Sequence, residues 1–219
     1  YVDGAILHAS VVSREAAGLL AESEVPYIVV GMPDFSNHLC WIDTDNSVAG
    51  ETAARHLLQC GYERIAFIGG PEEDRISAHR KNGVMAALNG RLPEEYLRVG
   101  RADSAGGRQE AEVLLGLAEP PDAVICANQY IAFGCVGALK ASGVRIPEET
   151  AVITFDDFPF SRVMEPELTV VNLDMYDMGE QAAKLVLRRI KKPQLLVQSQ
   201  TTLPVLIRRG STAQAPRRT

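Results

Sequence analysis

Residues 46–70 read NSVAGETAARHLLQCGYERIAFIGG, and this stretch contains the two patterns that decide the fold. Its first part places small and apolar side chains at helical spacing, namely Ala49, Ala53, Leu57 and Cys60. Gly61 is typical of a helix end, because glycine readily adopts the left-handed backbone found there. The apolar run 65–68 then has the character of a strand that is buried on both faces. The stretch therefore predicts a helix followed by a strand of a covered sheet.

The same alternation continues along most of the chain. Further short apolar runs predict strands at 5–7, 27–30, 123–126, 151–155, 168–172 and 202–207. Helical periodicity returns between several of them, most clearly over 131–142 and 178–189. Apolar strands that alternate with helices form parallel sheets with helices on both faces. The predicted fold class is therefore α/β with parallel sheets.

Two irregular stretches, 31–45 and 156–167, interrupt this alternation and predict two lobes that the chain crosses between. We expect two Rossmann-like lobes with a ligand cleft at the carboxyl ends of their strands. The predicted N-terminal lobe consists of 1–43 and 174–198, and the C-terminal lobe of 44–172 and 199–209. The remaining residues 210–219 have no periodicity and are predicted to form a frayed tail.

The composition excludes several classes of protein. The 219 residues carry a net charge of −6 and contain no apolar run long enough for a membrane span, so we expect no membrane partner. An acidic chain binds nucleic acid poorly by itself, because phosphate neutralisation needs clustered cations. The four cysteines have no metal-ligand spacing, and no leader peptide precedes the first strand, which favours reduced thiols and a cytoplasmic chain.

Motifs for catalysis are absent from the sequence. Gly69 and Gly70 follow a predicted strand, but the phosphate-loop spacings are missing, and Pro71 removes a backbone N–H that such a loop needs. The sequence has no GxSxG motif, and its four histidines lie on different elements. We therefore predict no enzyme activity, no cofactor and no metal.

Three polar residues occupy equivalent places after predicted strands. Asn128 follows the apolar run 124–127, Asp156 follows strand 151–155, and Arg80 lies in the helix after strand 65–68. Because parallel strands end at one edge of a sheet, we expect these side chains to converge there. A guanidinium, an amide and a carboxylate can bind vicinal hydroxyls or the edge of a heterocycle. Of the neighbours Asp156 and Asp157, we expect one to face the pocket and the other to cap a helix or form a turn.

The single tryptophan, Trp41, lies in the predicted link 31–45. An indole ring there can stack on the apolar face of a sugar or base, or it can pack as a wedge beside the hinge. The sequence leaves both interpretations open.

Many segments of the chain resemble the lactose/galactose-repressor (LacI/GalR) family of bacterial transcription regulators. These segments are 2–7, 25–31, 45–50, 56–70, 80–83, 121–128, 132–134, 143–147, 155–157, 168–171, 178–179 and 203–205. The order and spacing of the segments, which span 2–209, carry the resemblance.

The resemblance implies an effector-binding core with the type I periplasmic-binding-protein fold. It implies a homodimer that reads operator DNA through an N-terminal headpiece outside this sequence, and it places the first strand and helix of the N-terminal lobe before Tyr1. By motif position it assigns effector contacts to Arg80, Asn128 and Asp156, and a stacking role to Trp41. It also places His8 at a pocket-facing strand end and Asp103 where a pocket aromatic is frequent in the family.

The predicted function is a sensor for a small polar metabolite of the sugar class, which binds between the lobes and controls operator binding allosterically. The alternative is a periplasmic solute-binding protein that delivers a sugar to a transporter. Both share the fold, and a fold does not determine function.

Overall fold

The computed structural model of the protein describes residues 2–33, 39–193, 195 and 198–213. The chain divides into two units. The first unit contains Tyr1–Asp45 and Asp174–Leu203, and the second contains Asn46–Leu173 and Pro204–Thr219. Each unit therefore combines segments that are distant in the sequence.

Strands and helices alternate through both units. In chain order they are β1 (Ala5–His8), α1 (Arg14–Glu22), β2 (Tyr27–Val30), β3 (Trp41–Thr44), α2 (Asn46–Cys60), β4 (Ile65–Gly69), α3 (Arg75–Ala87), β5 (Leu97–Val99), α4 (Ser104–Leu115), β6 (Ala123–Cys126), α5 (Gln129–Ala141), β7 (Ala151–Phe155), α6 (Pro159–Val163), β8 (Thr169–Asn172), α7 (Met175–Lys191), β9 (Gln200–Thr202) and β10 (Val205–Ile207). Short 3₁₀ turns lie at Ala9–Val11, Glu94–Tyr96 and Gly210–Thr212. Within the ranges described, no helix is long and apolar enough to cross a membrane.

The first unit is built on a four-stranded parallel sheet in the order β1-β2-β3-β9. Its strands bury alternate side chains on opposite faces. Ile28 and Ile42 pack against Ala182 and other apolar residues of α7, whereas Val29 packs with Ala17 of α1. Both faces of the sheet are thus covered by a helix, as the α/β prediction requires.

The second unit is built on a six-stranded sheet in the order β10-β8-β7-β6-β4-β5. Strands β8, β7, β6, β4 and β5 are parallel, and only the edge strand β10 is antiparallel. Every residue of β4, β6 and β7 is buried. The α/β fold class with parallel sheets is confirmed, and the carboxyl ends of the parallel strands form one edge of this sheet.

The predicted irregular link 31–45 is wrong at its C-terminal end, where Trp41–Thr44 forms strand β3. Two polar residues concealed this strand from the apolar pattern. The Thr44 hydroxyl lies 2.8 Å from the hydroxyl of Thr202, and Asp43 accepts a hydrogen bond of 2.9 Å from the backbone N–H of Met32. Because these side chains have partners inside the fold, the strand does not need a continuous apolar run.

The single predicted strand 202–207 and the frayed tail are also corrected. Pro204 separates β9 from β10, because proline has no N–H to donate to a ladder. Strand β9 joins the sheet of the first unit, although we predicted 199–209 to belong to the other lobe. At the start of the predicted tail, Ser211 and Thr212 are buried because they hydrogen-bond within the second unit. Residues 214–219 of that tail lie outside the described residues.

Candidate ligand-binding site

Arg80 is the centre of a buried cluster at the carboxyl edge of the second unit's sheet. Its Nε donates to Oδ1 of Asn46 at 3.0 Å, and its Nη1 donates to the carbonyl of Ala127 at 2.7 Å. Its Nη2 lies 3.5 Å from Oδ2 of Asp156. The guanidinium also lies over the ring of Phe155, 4.3 Å from the centroid. Contacts from several elements therefore set the orientation of this cation.

Asp156 follows β7 directly and adopts a left-handed backbone with φ of 68°. Such a backbone costs about 1–2 kcal/mol for a residue with a Cβ and is often found at functional sites. Its side chain is 19% exposed. Burial raises the pKa of the Asp156 carboxyl, and the charge of Arg80 lowers the pKa by a smaller amount, so the pKa stays above its ordinary value. Ionisation of this carboxyl therefore costs the folded protein stability.

Asn128 lies beside this cluster, next to Ala127. Its Oδ1 caps α5 by accepting from the backbone N–H of Ile131 at 2.9 Å, and its Nδ2 donates to the carbonyl of Ala102 at 3.3 Å. The amide therefore joins the start of α5 to the loop before α4. The structure brings Asn128 to the predicted edge, and its hydrogen bonds there serve the backbone.

Asp103 lies after that loop and caps α4, accepting from the backbone N–H of Gly106 at 2.8 Å. It also forms an ion pair with Arg101. The hydrogen bond from the backbone of Gly106 lowers the pKa of Asp103 most, and the hydrogen bond and charge of Arg101 lower it further. Together they outweigh burial, which raises the pKa. Asp103 is joined to Asn128 through the adjacent Ala102, so it belongs to the same edge of the second unit.

His8 and Trp41 belong to the first unit. His8 ends β1, and its Nδ1 lies 2.7 Å from the hydroxyl of Ser10. The partly buried ring of Trp41 packs against a cluster that includes Val29, and its backbone N–H donates to Ser199 at 3.2 Å. Packing therefore accounts for the position of Trp41, and its stacking role stays a prediction.

Two further residues of the cluster, Asn46 and Phe155, were not predicted from the sequence. Asn46 lies two positions after the end of β3, just as Asn128 lies two positions after the end of β6. That signal was hidden because β3 was assigned to an irregular link. Phe155 is the last residue of β7 and is fully buried, which made it look like a core residue without a role in the site.

Asp157 has a structural role beside the site. It accepts a hydrogen bond from Ser161 at 3.1 Å and pairs with Arg162 and Arg209, each at 2.6 Å. Burial raises the pKa of Asp157, but the hydrogen bonds from these three residues outweigh burial and leave the pKa below its ordinary value. The residue therefore ties α6 to the segment after β10.

The lowered pKa of Asp157 predicts acid-sensitive stability. A carboxylate with a depressed pKa stabilises the fold above its unfolded pKa, about 3.9, and this contribution is lost as the pH falls through the folded pKa. We expect Asp157→Asn to lower the free energy of unfolding by about 3 kcal/mol at pH 7, and by less at pH 3. Urea unfolding at the two pH values measures the difference. Arg162→Ala, which removes an exposed partner, should lower the free energy of unfolding by much less than Asp157→Asn does. Equal losses for Asp157→Asn at both pH values would contradict this role.

In the part of the chain that the structure describes, no three His, Cys, Asp or Glu side chains are grouped to hold a metal ion. The polar groups at the carboxyl edge are instead a guanidinium, carboxylates and amides, which donate and accept hydrogen bonds. Such groups are suited to hydrogen bonding with a polar organic molecule.

Comparisons with known proteins identify the family. Residues 54–212 match the family described as "Periplasmic binding protein-like domain". The probable HTH-type transcriptional repressor ExuR of Bacillus subtilis (strain 168) is 32% identical over 178 residues, which cover 80% of this chain and 54% of ExuR. The HTH-type transcriptional repressor PurR of Actinobacillus pleuropneumoniae serotype 3 is 28% identical over 203 residues, or 91% of this chain and 60% of PurR. The chain thus spans little more than half the length of these relatives.

Solved structures agree with this assignment. A LacI family transcriptional regulator from Enterococcus faecium with bound ribose has a TM-score of 0.85 at 29% identity, covering 97% of this chain and 80% of that one. The complex of the transcriptional regulator CelR with cellobiose has a TM-score of 0.85 at 29% identity, covering 96% of this chain and 66% of the CelR chain. The chain therefore belongs to the periplasmic binding protein-like domain family, and its structural neighbours include LacI-family transcriptional regulators.

Proposed function

We propose that this chain is the effector-sensing core of a bacterial transcriptional regulator and that it binds a small neutral sugar or sugar derivative at the carboxyl edge of the second unit. The observation that carries this proposal is the pair Arg80–Asp156, in which the buried and oriented guanidinium of α3 meets the partly buried carboxylate that follows β7. Regulators that are similar to this chain hold ribose and cellobiose, which supports the same ligand class.

The chemistry of the pair favours an uncharged polyol. The guanidinium donates hydrogen bonds and the carboxylate accepts them, so adjacent hydroxyl groups of one sugar can satisfy both. Because Asp156 already compensates the charge of Arg80, an anionic ligand would gain less electrostatic binding free energy here than at an unpaired arginine. We include Asn128 and Asp103, which lie at the same edge, as further ligand contacts on the strength of their motif positions. The ligand roles of Trp41 and His8, in the first unit, stay predictions.

Control of transcription requires a coupling between the ligand and DNA. The ligand shifts the protein between two conformations only if it binds one of them better than the other. In this proposal, operator DNA is bound by a headpiece outside this acidic chain, and a few kcal/mol of operator affinity switches occupancy.

A homodimer is part of the proposal. Tyr130 and Phe133 of α5 and Phe160 and Val163 of α6 are each more than half exposed, and the rings of Phe133 and Phe160 lie 6.3 Å apart. Exposed aromatic clusters of this kind are frequent in interfaces between protein chains. This surface supports association of two copies through the second unit.

The relatives favour the regulator over the alternative of a periplasmic solute-binding protein. ExuR and PurR are HTH-type transcriptional repressors rather than transport proteins. The proposal therefore assigns no enzyme activity to this chain and places it in the cytoplasm, where operator DNA is found.

A thermal-shift screen of pentoses, hexoses, hexuronates and disaccharides tests the ligand class. We expect a neutral sugar to raise the melting temperature, since a ligand at 100 times its Kd adds about 2.7 kcal/mol of stability. Nucleotides and inorganic phosphate are the controls. A shift with these anions and with none of the neutral sugars would contradict the proposal.

Asp156→Asn separates binding from stability. Asparagine tolerates the left-handed backbone and keeps an acceptor for Arg80 but loses the charge. Because the pKa of Asp156 is raised, its contribution to stability is present below the unfolded pKa and lost as the pH rises through the folded pKa. At pH 7 we therefore expect a variant at least as stable as the wild type that binds its sugar about tenfold more weakly, because a hydrogen bond to a charged group is stronger than one to a neutral group. Unchanged affinity in calorimetry would remove Asp156 from the site.

A further inference from the structure

Helices α2 and α3 cross in direct backbone contact at Arg80. A Cβ atom placed on Gly50 would lie 1.9 Å from the carbonyl oxygen of Arg80, and one placed on Gly83 would lie 1.8 Å from the carbonyl oxygen of Ser47. Neither position has room for a side chain, and the opposing atoms are backbone. The backbone of Arg80 therefore rests on Gly50.

Asn46 contacts the other end of the same residue. It lies four positions before Gly50, so both are on one face of α2. Asn46 is buried, and its Oδ1 accepts from Nε of Arg80 at 3.0 Å. Helix α2 thus holds Arg80 at two points, with the backbone against Gly50 and the guanidinium against Asn46.

Helices α4 and α5 cross in the same way but lack a hydrogen bond like the one between Asn46 and Arg80. A Cβ on Gly107 would lie 2.1 Å from the carbonyl oxygen of Ile131, and one on Gly134 would lie 1.9 Å from that of Ser104. By register, Ile131 takes the place of Arg80, and Asp103 takes the place of Asn46. Asp103 caps its own helix. The close approach at glycines is therefore a packing feature of both helix pairs. The hydrogen bond between Asn46 and Arg80 is found only in the pair α2–α3.

We propose that Asn46 and Gly50 are positioning residues for the ligand, and that they set sugar affinity by orienting the guanidinium of Arg80. The inference rests on the proposed function, because it assumes that Arg80 contacts the ligand. A guanidinium that is already held in its binding orientation loses little conformational freedom when a sugar binds. Helix α2 holds the guanidinium of Arg80 in this orientation.

The test is calorimetry on the complete 219-residue chain with D-ribose as the probe, at a temperature where every variant is folded by circular dichroism. We expect Asn46→Ala to weaken ribose binding about tenfold, the usual effect of losing one hydrogen bond to a charged group. Gly50→Ala should weaken it further, because its Cβ displaces the backbone of Arg80. Asn46→Asp keeps an acceptor for Nε and should restore affinity to within about threefold of the wild type.

Leu57→Ala is the control for a purely structural effect. Leu57 is fully buried on the same helix, and its loss destabilises the fold by creating a cavity. We expect it to leave ribose affinity within about twofold of the wild type. If Gly50→Ala does not fold, the pair Asn46→Ala and Asn46→Asp still decides the question.

The outcomes separate this inference from the proposed function. If Arg80→Ala does not bind ribose but Asn46→Ala binds it with wild-type affinity, the positioning role is overturned and the proposed site stands. Full affinity in Arg80→Ala overturns the site itself. A wild-type chain that does not bind ribose overturns the inference for this probe, whereas the proposed ligand class fails only if no neutral sugar of the thermal-shift screen binds. Equal weakening by Leu57→Ala and Asn46→Ala also overturns the inference.

Discussion

Replacing Arg80 with alanine is expected to weaken sugar binding at least about 100-fold and to lower the free energy of unfolding by about 3 kcal/mol at pH 7. The first effect follows from the loss of the cation at the site. The second arises because Asp156 is left largely buried without its partner, while Asn46 and the carbonyl of Ala127 lose a donor. Calorimetry measures the binding, and urea unfolding measures the stability.

The pH dependence of the Arg80→Ala variant provides an internal check. Without the cation, the pKa of Asp156 should rise further above its ordinary value. A carboxyl with a raised pKa contributes its stability below the unfolded pKa and loses it as the pH rises through the folded pKa. The deficit relative to the wild type should therefore shrink on acidification from pH 7 towards pH 4. Arg80→Lys, which keeps the charge without the planar fork, should recover stability better than affinity. A deficit that does not vary with pH would argue against a buried, unpaired Asp156.

Ending the chain after Ile207 is expected to abolish folding of the second unit. The removed residues make buried polar contacts. Ser211 donates to the carbonyl of Val152 at 2.5 Å, and its hydroxyl accepts from the backbone N–H of Thr169 at 2.9 Å. The hydroxyl of Thr212 lies 2.7 Å from Nε2 of buried His56. Burial, followed by the charge of Arg208, lowers the pKa of His56, so its ring is neutral at pH 7.

Each buried group left without a partner costs about 1–3 kcal/mol. Several such losses are comparable to the whole stability of a domain, about 5–15 kcal/mol. Circular dichroism and size-exclusion chromatography should show an unfolded or aggregated chain. A chain that ends at Ala213 keeps all these contacts and is expected to fold and to unfold cooperatively in urea. A cooperative, wild-type unfolding transition after truncation at Ile207 would show that the segment is dispensable.

The sequence was most informative where strands are buried on both faces. Strands β4, β6 and β7 are continuous apolar runs, because every side chain meets a helix. Strands β3 and β5 were not predicted. Trp41–Thr44 carries polar side chains whose partners lie in other segments, and Leu97–Val99 is a short edge strand that is not fully buried. Local pattern is a weak guide wherever a distant partner satisfies a polar group.

For the candidate site, the topology of a parallel sheet was sufficient to predict that Arg80, Asn128 and Asp156 reach one edge. It was not sufficient to predict what each of them binds there. The amide of Asn128 caps the N-terminus of α5, and the hydrogen bond between Asn46 and Arg80 joins residues 34 positions apart.

The sequence by itself determined the α/β class, the family and the strand-end placement of the polar residues, because these follow from periodicity and motif order along the chain. Only the tertiary structure decided that Arg80 is held by α2, that Pro204 sends adjacent strands to different sheets, and that Ser211 is buried. The physical reason is that these features depend on backbone contacts and hydrogen bonds between segments distant in sequence, which leave no local pattern.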